Sequence, residues 1–239
     1  MTREPDAFAW QPLPDGGAAV RYPADGVVAP AELDAARRAW LAAGVRYAQV
    51  FLPLPLAVPT QPLASVGFRW LTVLELHRRS VQPTDFGRTS VAHGLTLRPF
   101  DGLDPAVVRA TLARTYVGSL DGPELNALRL DDAPLVDASG LAVVAYRGPV
   151  PVGVLQLDAS DDGDLLEFAY LGVVPEARRT GVAAALVDFA LTHAVLSGRR
   201  AVLLGVDARN APAKALYARF GFAEYERRAV WWWVNDSAP

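Results

Sequence analysis

The stretch VVPEARRTGVAAALVDFAL, residues 173–191, joins a short apolar run to a long alanine-rich segment through two arginines and a glycine. The apolar residues before Pro175 predict the end of a β-strand. Beyond Gly181, apolar residues recur at the spacing of one helical face: Val182, Ala185, Leu186 and Phe189. The stretch therefore predicts a strand, a short turn and the N-terminus of a helix in direct succession.

That junction has the chemistry of an anion site. The first amide N–H groups of a helix lack intrahelical partners, and the helix dipole makes this end positive. Gly181 removes the side chain that would hold a phosphate away from the backbone, and Arg178 and Arg179 can add charge-assisted hydrogen bonds. From the residues alone, a solvated arginine pair beside an ordinary turn glycine is the alternative.

Composition excludes several classes of site. The chain has 239 residues, a net charge of −3 and no cysteine, which excludes disulfides, thiolate zinc sites and cysteine nucleophiles. His77, His93 and His193 are far apart in sequence, so we predict no metal. The charge gives no reason to expect nucleic acid or an anionic membrane as partner. No apolar run suits export or membrane insertion, so we predict a cytoplasmic protein.

From Gly94 onward the patterns predict the element order β-α-β-β-β-α-β-α-β. Asp104 before Pro105 predicts one helix start, and Asn210 predicts another. The turn residues Arg147-Gly148-Pro149 predict a hairpin between two β-rich runs. The fold class is therefore α/β (α+β), a mixed sheet with helices on its faces.

The first ~90 residues, although rich in proline, contain a repeat of the C-terminal part. A shift of 154 residues takes Gly44 to Gly198 and Gly67 to Gly221 without a gap. Both stretches predict strand, loop, short helix, Gly-Phe and strand, after a helix-like segment. The alternative is a chance match between unrelated α/β units. The repeat predicts two domains, residues 1–88 and 89–239.

Two motifs then carry a family resemblance. The loop after Val173-Val174-Pro175 fills the pattern Arg/Gln-x-x-Gly-x-Gly/Ala with Arg178, Gly181 and Ala183. A second pattern is filled by Asn210, Ala213, Leu216, Tyr217, Gly221 and Phe222. Together they resemble the GCN5-related N-acetyltransferase (GNAT) family over roughly residues 94–234. The resemblance implies the GNAT fold, a mixed central sheet flanked by helices, with a smaller N-terminal GNAT-like half-module.

In that family acetyl-CoA lies in a wedge between two parallel strands, so the resemblance implies an acetyl-CoA site between the strand ending at Val174 and the strand over 201–206. Strand backbone would pair with the pantetheine arm, loop amides would hold the pyrophosphate, and the next helix would contribute one polar side chain. The residues implied to bind the cofactor are Leu171, Gly172, Val173, Arg178, Arg179, Thr180, Gly181, Val182, Ala183, Ala184 and Asn210.

Acetyl transfer to an amine also needs a base and an acid. Glu167 is the candidate base, directly or through a water, because it lies on the strand that forms one wall of the wedge. Strand alternation predicts that it shares a face with Leu171 and Val173; an exposed glutamate paired with an arginine is the alternative. Tyr217 is the candidate acid for the CoA thiolate, and a core tyrosine with a locally bonded hydroxyl is the alternative.

The function implied is N-acetylation of a small-molecule or peptide amine by direct transfer, in a monomer or homodimer. Leu204-Gly205-Val206 lacks the glutamate that family members acting on protein N-termini often carry, which puts such an acceptor in doubt. The N-terminal module has Leu63 and Leu56 at the places of Tyr217 and Asn210, so we expect it to be structural and not to bind CoA. The rival function is a catalytically silent acyl-CoA-binding or regulatory protein.

Overall fold

A computed structural model describes residues 9–13, 16–22, 28–87, 94–120, 140–160 and 163–235. In chain order the strands and helices are β1 (Ala9–Pro12), β2 (Gly17–Arg21), α1 (Pro30–Ala42), β3 (Tyr47–Pro53), α2 (Gln61–Ser65), β4 (Arg69–Ser80), β5 (Leu95–Pro99), α3 (Pro105–Tyr116), β6 (Leu141–Arg147), β7 (Val150–Ala159), β8 (Leu165–Val173), α4 (Val182–Leu196), β9 (Ala201–Asp207), α5 (Ala211–Arg219) and β10 (Ala223–Val234).

The chain divides into two compact units. The first comprises Met1–Glu75 and Glu226–Pro239, and the second comprises Leu76–Tyr225. The divisions therefore fall inside β4 and β10. The assignment of 1–88 and 89–239 to separate domains stays a prediction.

The first unit is built on a mixed sheet. β2 pairs with β1 antiparallel and with β3 parallel, and β3 pairs with β10 antiparallel. On one side of this sheet, the fully buried Trp40 of α1 packs against the rings of Phe68 and Trp233. Tyr47 stacks on Trp232, with ring centroids 4.6 Å apart. Because aromatic rings bury large apolar areas, these pairs form much of the core of this unit.

The second unit has helices on both faces of its own mixed sheet. Its strands follow the order β9-β8-β7-β6-β5, and β8 with β9 is the parallel pair. One core lies between the sheet and helices α4 and α5, where Leu186 and Tyr217 are buried. The other lies under α3, where Val108 packs with Val144 and Val154. The mixed sheet flanked by helices confirms the predicted fold class.

Local signals in the sequence are also confirmed. The Asp104 carboxylate accepts a hydrogen bond from the amide of Ala106 at 2.9 Å, and Asn210 Oδ1 accepts one from Ala213 at 3.2 Å. Each side chain thus satisfies an amide that the first helical turn leaves open. The hairpin at Arg147-Gly148-Pro149 joins β6 to β7.

The repeat is visible in the elements themselves. A shift of 154 residues takes the bounds of β3 onto those of β9 and the bounds of β4 onto those of β10. Gly44 and Gly198 have φ of 70° and 68°, and Gly67 and Gly221 have 94° and 81°. Only glycine adopts this left-handed region without strain, so both copies end their helices in the same way.

Among the described residues, no helix is long and apolar enough to cross a membrane. His77 is buried on β4, and His193 lies in the last turn of α4. Burial, and then the nearby Arg199, lower the pKa of His193 below its ordinary value. His93 lies outside the described residues.

A buried ion pair secures the segment that follows β4 in the second unit. The two carboxylate oxygens of Asp85, which is fully buried, accept hydrogen bonds of 2.8 and 2.6 Å from Arg79. The same carboxylate accepts one from the amide of Gln82. Thr192 of α4 donates to the Asp85 carbonyl at 3.2 Å. These bonds attach the segment to α4.

Asp85→Asn should destabilise the protein strongly, because Arg79 would keep its charge in a largely dry site without a carboxylate. Breaking such a pair costs about 3–5 kcal/mol, measurable by urea denaturation. Asp164→Asn, which breaks the exposed pair with Arg200, is the matched control and should change the unfolding free energy little. Equal effects of the two substitutions would show that the buried pair contributes no special stability.

Candidate active site

The parallel strands β8 and β9 separate partway along their length. They pair over four residues each, Leu165–Phe168 with Ala201–Leu204. β8 then continues to Val173 and β9 to Asp207, and no pairing between them is found beyond Leu204 in the described ranges. Beyond Phe168 the edge of β8 that faces β9 is therefore not paired with another described strand, and an extended ligand can add there like another strand. This is the wedge that the family resemblance implies.

A β-bulge lies where the strands begin to separate. Gln156 of β7 is opposite Tyr170, but the next residue, Leu157, is opposite Phe168, so Ala169 is an extra residue on β8. A bulge inverts the alternation of faces beyond it. Phe168 and Val173 accordingly lie in the same core, under α4.

Glu167 is therefore on the opposite face from Leu171 and Val173, and the prediction that they share a face is wrong. The unbroken alternation assumed from the sequence does not hold through the bulge. Glu167 is exposed and lies opposite Asp158 of β7. Its face of the sheet is the one that carries Tyr170 and α3.

Helix α3 approaches the C-terminal part of β8 closely because Gly172 has no side chain. A Cβ at this position would lie 2.7 Å from Thr115 Oγ1 and would also overlap the Tyr170 hydroxyl. Thr115 donates to the Leu112 carbonyl, so it accepts the 2.7 Å hydrogen bond from Tyr170. Gly172 thus lets α3 pack closely against β8, while the edge of β8 at this position remains open toward β9.

Arg178 connects the loop after β8 to the end of α3. Its guanidinium donates to the carbonyls of Val173 at 3.1 Å, Thr115 at 3.0 Å and Val117 at 2.6 Å. Its own amide donates to Pro175. These bonds use Nε and Nη2 of Arg178 to hold the loop. Contact of Arg178 with a phosphate stays a prediction.

A second ion pair holds the same loop. Glu176, in the 3-10 turn Pro175–Ala177, pairs with Arg114 in the last turn of α3. The Glu176 amide, and then Arg114, lower the pKa of this exposed carboxyl below its usual range. The loop is therefore attached to α3 at two points.

The rest of the loop leads into α4 through two residues with left-handed backbone. Gly181, which precedes the helix, has φ 88°, and Arg179 has φ 63°. A non-glycine residue in this region is strained, and such residues cluster at ligand sites. Both residues are exposed. The Thr180 hydroxyl donates to the Ala177 carbonyl at 2.7 Å. This bond fixes the turn from Ala177 to Thr180.

Tyr217 lies on α5 beside the point where the strands separate. Its ring packs edge-on against Phe168, the last paired residue of β8, with centroids 6.2 Å apart. Burial raises the pKa of Tyr217 to about 12, so the phenol stays protonated across the physiological range and acts as a donor. Within the described ranges its hydroxyl makes no hydrogen bond, unlike a core tyrosine satisfied locally.

Asn210 occupies the N-cap of α5, where its Oδ1 bonds the Ala213 amide. The predicted capping role is therefore present. On the same turn, Asp207 pairs with Arg209, and Lys214 donates to the Ala208 carbonyl. A role of Asn210 in binding acetyl-CoA stays a prediction.

Reading the sequence missed three residues that shape this site. Thr115 and Tyr170 support Gly172, and Arg147 donates to Thr180 Oγ1 at 2.9 Å. Arg147 is at the end of β6, 33 residues before Thr180. No local motif links these residues to the loop, since only the register of the sheet brings them together.

Comparison with known proteins agrees with this geometry. The sequence profile of the Acetyltransferase (GNAT) family matches residues 108–222. A curated relative, the mycothiol acetyltransferase of Streptomyces scabiei, is 32% identical over 67% of this chain and 53% of its own. The chain thus spans about half the length of the curated relatives it matches.

Solved structures share the fold. A GCN5-related N-acetyltransferase from Kribbella flavida has a TM-score of 0.57 and 22% identity, covering 90% of this chain and 79% of its own. A tandem GNAT protein from the clavulanic acid biosynthesis pathway has a TM-score of 0.58 and 16% identity, covering 92% and 75%. With both sequence motifs in place around an open wedge, the chain belongs to the acetyltransferase (GNAT) family.

Proposed function

We propose that this protein is an N-acetyltransferase that moves the acetyl group of acetyl-CoA directly to the amine of a small molecule. The observation that carries the proposal is the wedge between β8 and β9, with the Tyr217 ring packed at its closed end. The open edge of β8 suits the amide groups of a pantetheine arm, and the N-terminus of α4 suits a pyrophosphate. The proposed contacts are Leu171–Val173, the loop from Arg178 to Ala184, and Asn210.

The acid and the base lie on opposite faces of the sheet. Tyr217 is in the core on the α4 and α5 side, whereas Glu167 is on the α3 side. A thioester in the plane of the wedge would lie between them. An amine arriving on the Glu167 side would lose its proton there, directly or through a water, and attack the carbonyl carbon. As the C–S bond breaks, the thiolate on the other side would receive the Tyr217 proton.

Four parts of the proposal rest on the family or on the sequence: the acceptor class, the role of residues 1–88, the location and the oligomeric state. The curated relatives are named mycothiol acetyltransferases, which makes a small-molecule amine the first class of acceptor to test. Residues 1–88 are proposed to be a structural half-copy, because Leu63 and Leu56 replace the tyrosine and asparagine of the site. Cytoplasmic location and a monomeric or homodimeric state stay predictions from the sequence.

Gly181→Glu should abolish binding of acetyl-CoA, because it places a like charge and a side chain where the pyrophosphate would lie. In wild type, acetyl-CoA at about 100 times its Kd should add about 2.7 kcal/mol of stability, read as a thermal shift. Gly198→Glu is the control, since it adds the same charge at a left-handed glycine beyond the other end of α4. A full shift in Gly181→Glu would contradict the proposed donor site.

Tyr217→Phe should leave acetyl-CoA affinity nearly unchanged and lower kcat by about 10²–10⁴-fold, the usual contribution of a positioned acid. Tyr146→Phe, which removes a hydroxyl from another buried tyrosine of the unit, should leave kcat unchanged. Unaltered turnover in Tyr217→Phe would assign this tyrosine to the core alone.

Wild type and Tyr217→Phe should also differ by the same factor at different pH values. Because burial raises the pKa of Tyr217 to about 12, its phenol is protonated throughout the range from about pH 7 to 10. The ratio of wild-type to Tyr217→Phe kcat should therefore be constant over that range. A ratio that falls toward one above about pH 9 would mean that the acid ionises earlier and that its environment is wetter.

Glu167→Gln should lower kcat most at neutral pH, where an alkylamine acceptor is protonated and a base is needed. The loss should shrink as pH approaches the pKa of the acceptor, which is then deprotonated in solution. Glu32→Gln, on α1 of the first unit, is the control. A loss that is independent of pH would indicate that Glu167 positions the acceptor instead of removing its proton.

A further inference from the structure

The structure points to Arg147 as a binding residue for the donor: we infer that its guanidinium contacts the pyrophosphate of acetyl-CoA. The inference rests on the proposed function and deepens it. Of the two motif arginines, Arg178 already donates its Nε and Nη2 to three backbone carbonyls, so much of its donor capacity holds the loop.

Arg147 supplies a cation at this place from a distant part of the sequence. It is the last residue of β6 and lies opposite Val150 at the start of β7. Val143 and Ala145 of β6 belong to the core under α4, and alternation places Arg147 on that same face. The side chain therefore extends toward the end of the sheet where α4 begins.

A hydrogen bond fixes the guanidinium against the loop. Arg147 Nη2 donates to Thr180 Oγ1 at 2.9 Å, and that hydroxyl donates in turn to the Ala177 carbonyl. Thr180 is thus oriented by Ala177 so that its oxygen accepts from Arg147. An arginine has five N–H donors in a rigid planar fork, so one bond to Thr180 leaves the others to bind phosphate oxygens.

The surrounding charges favour an anion at this position. Arg179, which is exposed and next to Thr180, is the second cation of the loop. The nearby carboxylate, Glu176, pairs with Arg114. Arg147 and Arg179 therefore flank the helix N-terminus, and a pyrophosphate held by the amides would receive charge-assisted hydrogen bonds from both.

Arg147→Gln is the decisive variant, because glutamine can still bond Thr180 but carries no charge. We expect the Kd of acetyl-CoA, measured by calorimetry, to rise about tenfold, the typical loss for one charge-assisted hydrogen bond. Arg200→Gln, at the opposite end of the sheet, removes an equal charge and should have no such effect. Arg147→Lys should recover part of the affinity.

Donor analogues show which group Arg147 contacts. Acetyl-dephospho-CoA keeps the pyrophosphate, so Arg147→Gln should weaken it as much as acetyl-CoA. S-acetylpantetheine has no phosphate, so its KM should be the same in wild type and Arg147→Gln. Thr180→Val, which removes the hydroxyl that orients Arg147, should weaken acetyl-CoA less than Arg147→Gln does.

Three results would overturn the assignment: a loss no larger than that of Arg200→Gln, an equal loss with S-acetylpantetheine, or a loss that disappears with the dephospho donor. Failure of the proposed function has a different signature, since wild type itself would then bind no acetyl-CoA. Salt gives an independent check. The effect of Arg147→Gln should shrink at about 0.5 M salt, because exposed charges are then screened.

Discussion

The site depends on the point at which β8 and β9 stop pairing, which comes before either strand ends. Four residues of each strand pair, and beyond Phe168 the only described strand that pairs with β8 is β7. Unpaired strand groups are costly unless water or a ligand satisfies them. The extra residue at Ala169 begins the separation, and the side chain of Phe168 fills its closed end together with the Tyr217 ring.

Helix α3 holds the loop that follows β8 in place, although one edge of β8 is open. Its C-terminal carbonyls would need partners in any case, and Arg178 provides them for Thr115 and Val117 while also binding Val173. One side chain thus caps a helix and fixes the end of β8. A cation at a helix C-terminus also interacts favourably with the helix dipole. Arg178, the first arginine of the motif, therefore has a structural role that does not depend on a ligand.

The sequence was sufficient for the order of the described elements from Gly94 onward and for both helix caps, because each depends on neighbouring residues. It did not predict β1 and β2. Asp104 and Asn210 are strong N-cap residues, and glycines with left-handed φ mark the same places in both copies. Glu167 was assigned to the wrong face because a bulge leaves no local signal. Arg147 was missed because its contact with Thr180 requires the register of several strands, which no single stretch encodes.

The two copies differ physically in how far their first parallel strand extends. β2 pairs with β3 over Gly17–Val20 and ends one residue later, at Arg21, whereas β8 continues for five residues beyond its last pair with β9. Within the described ranges, the first copy therefore shows no strand edge long enough for an extended ligand. Leu63, fully buried at the position of Tyr217, adds apolar packing where the second copy has a hydroxyl. The shorter strand and the leucine thus have the same effect, since each lets the first copy close its sheet and fill its core.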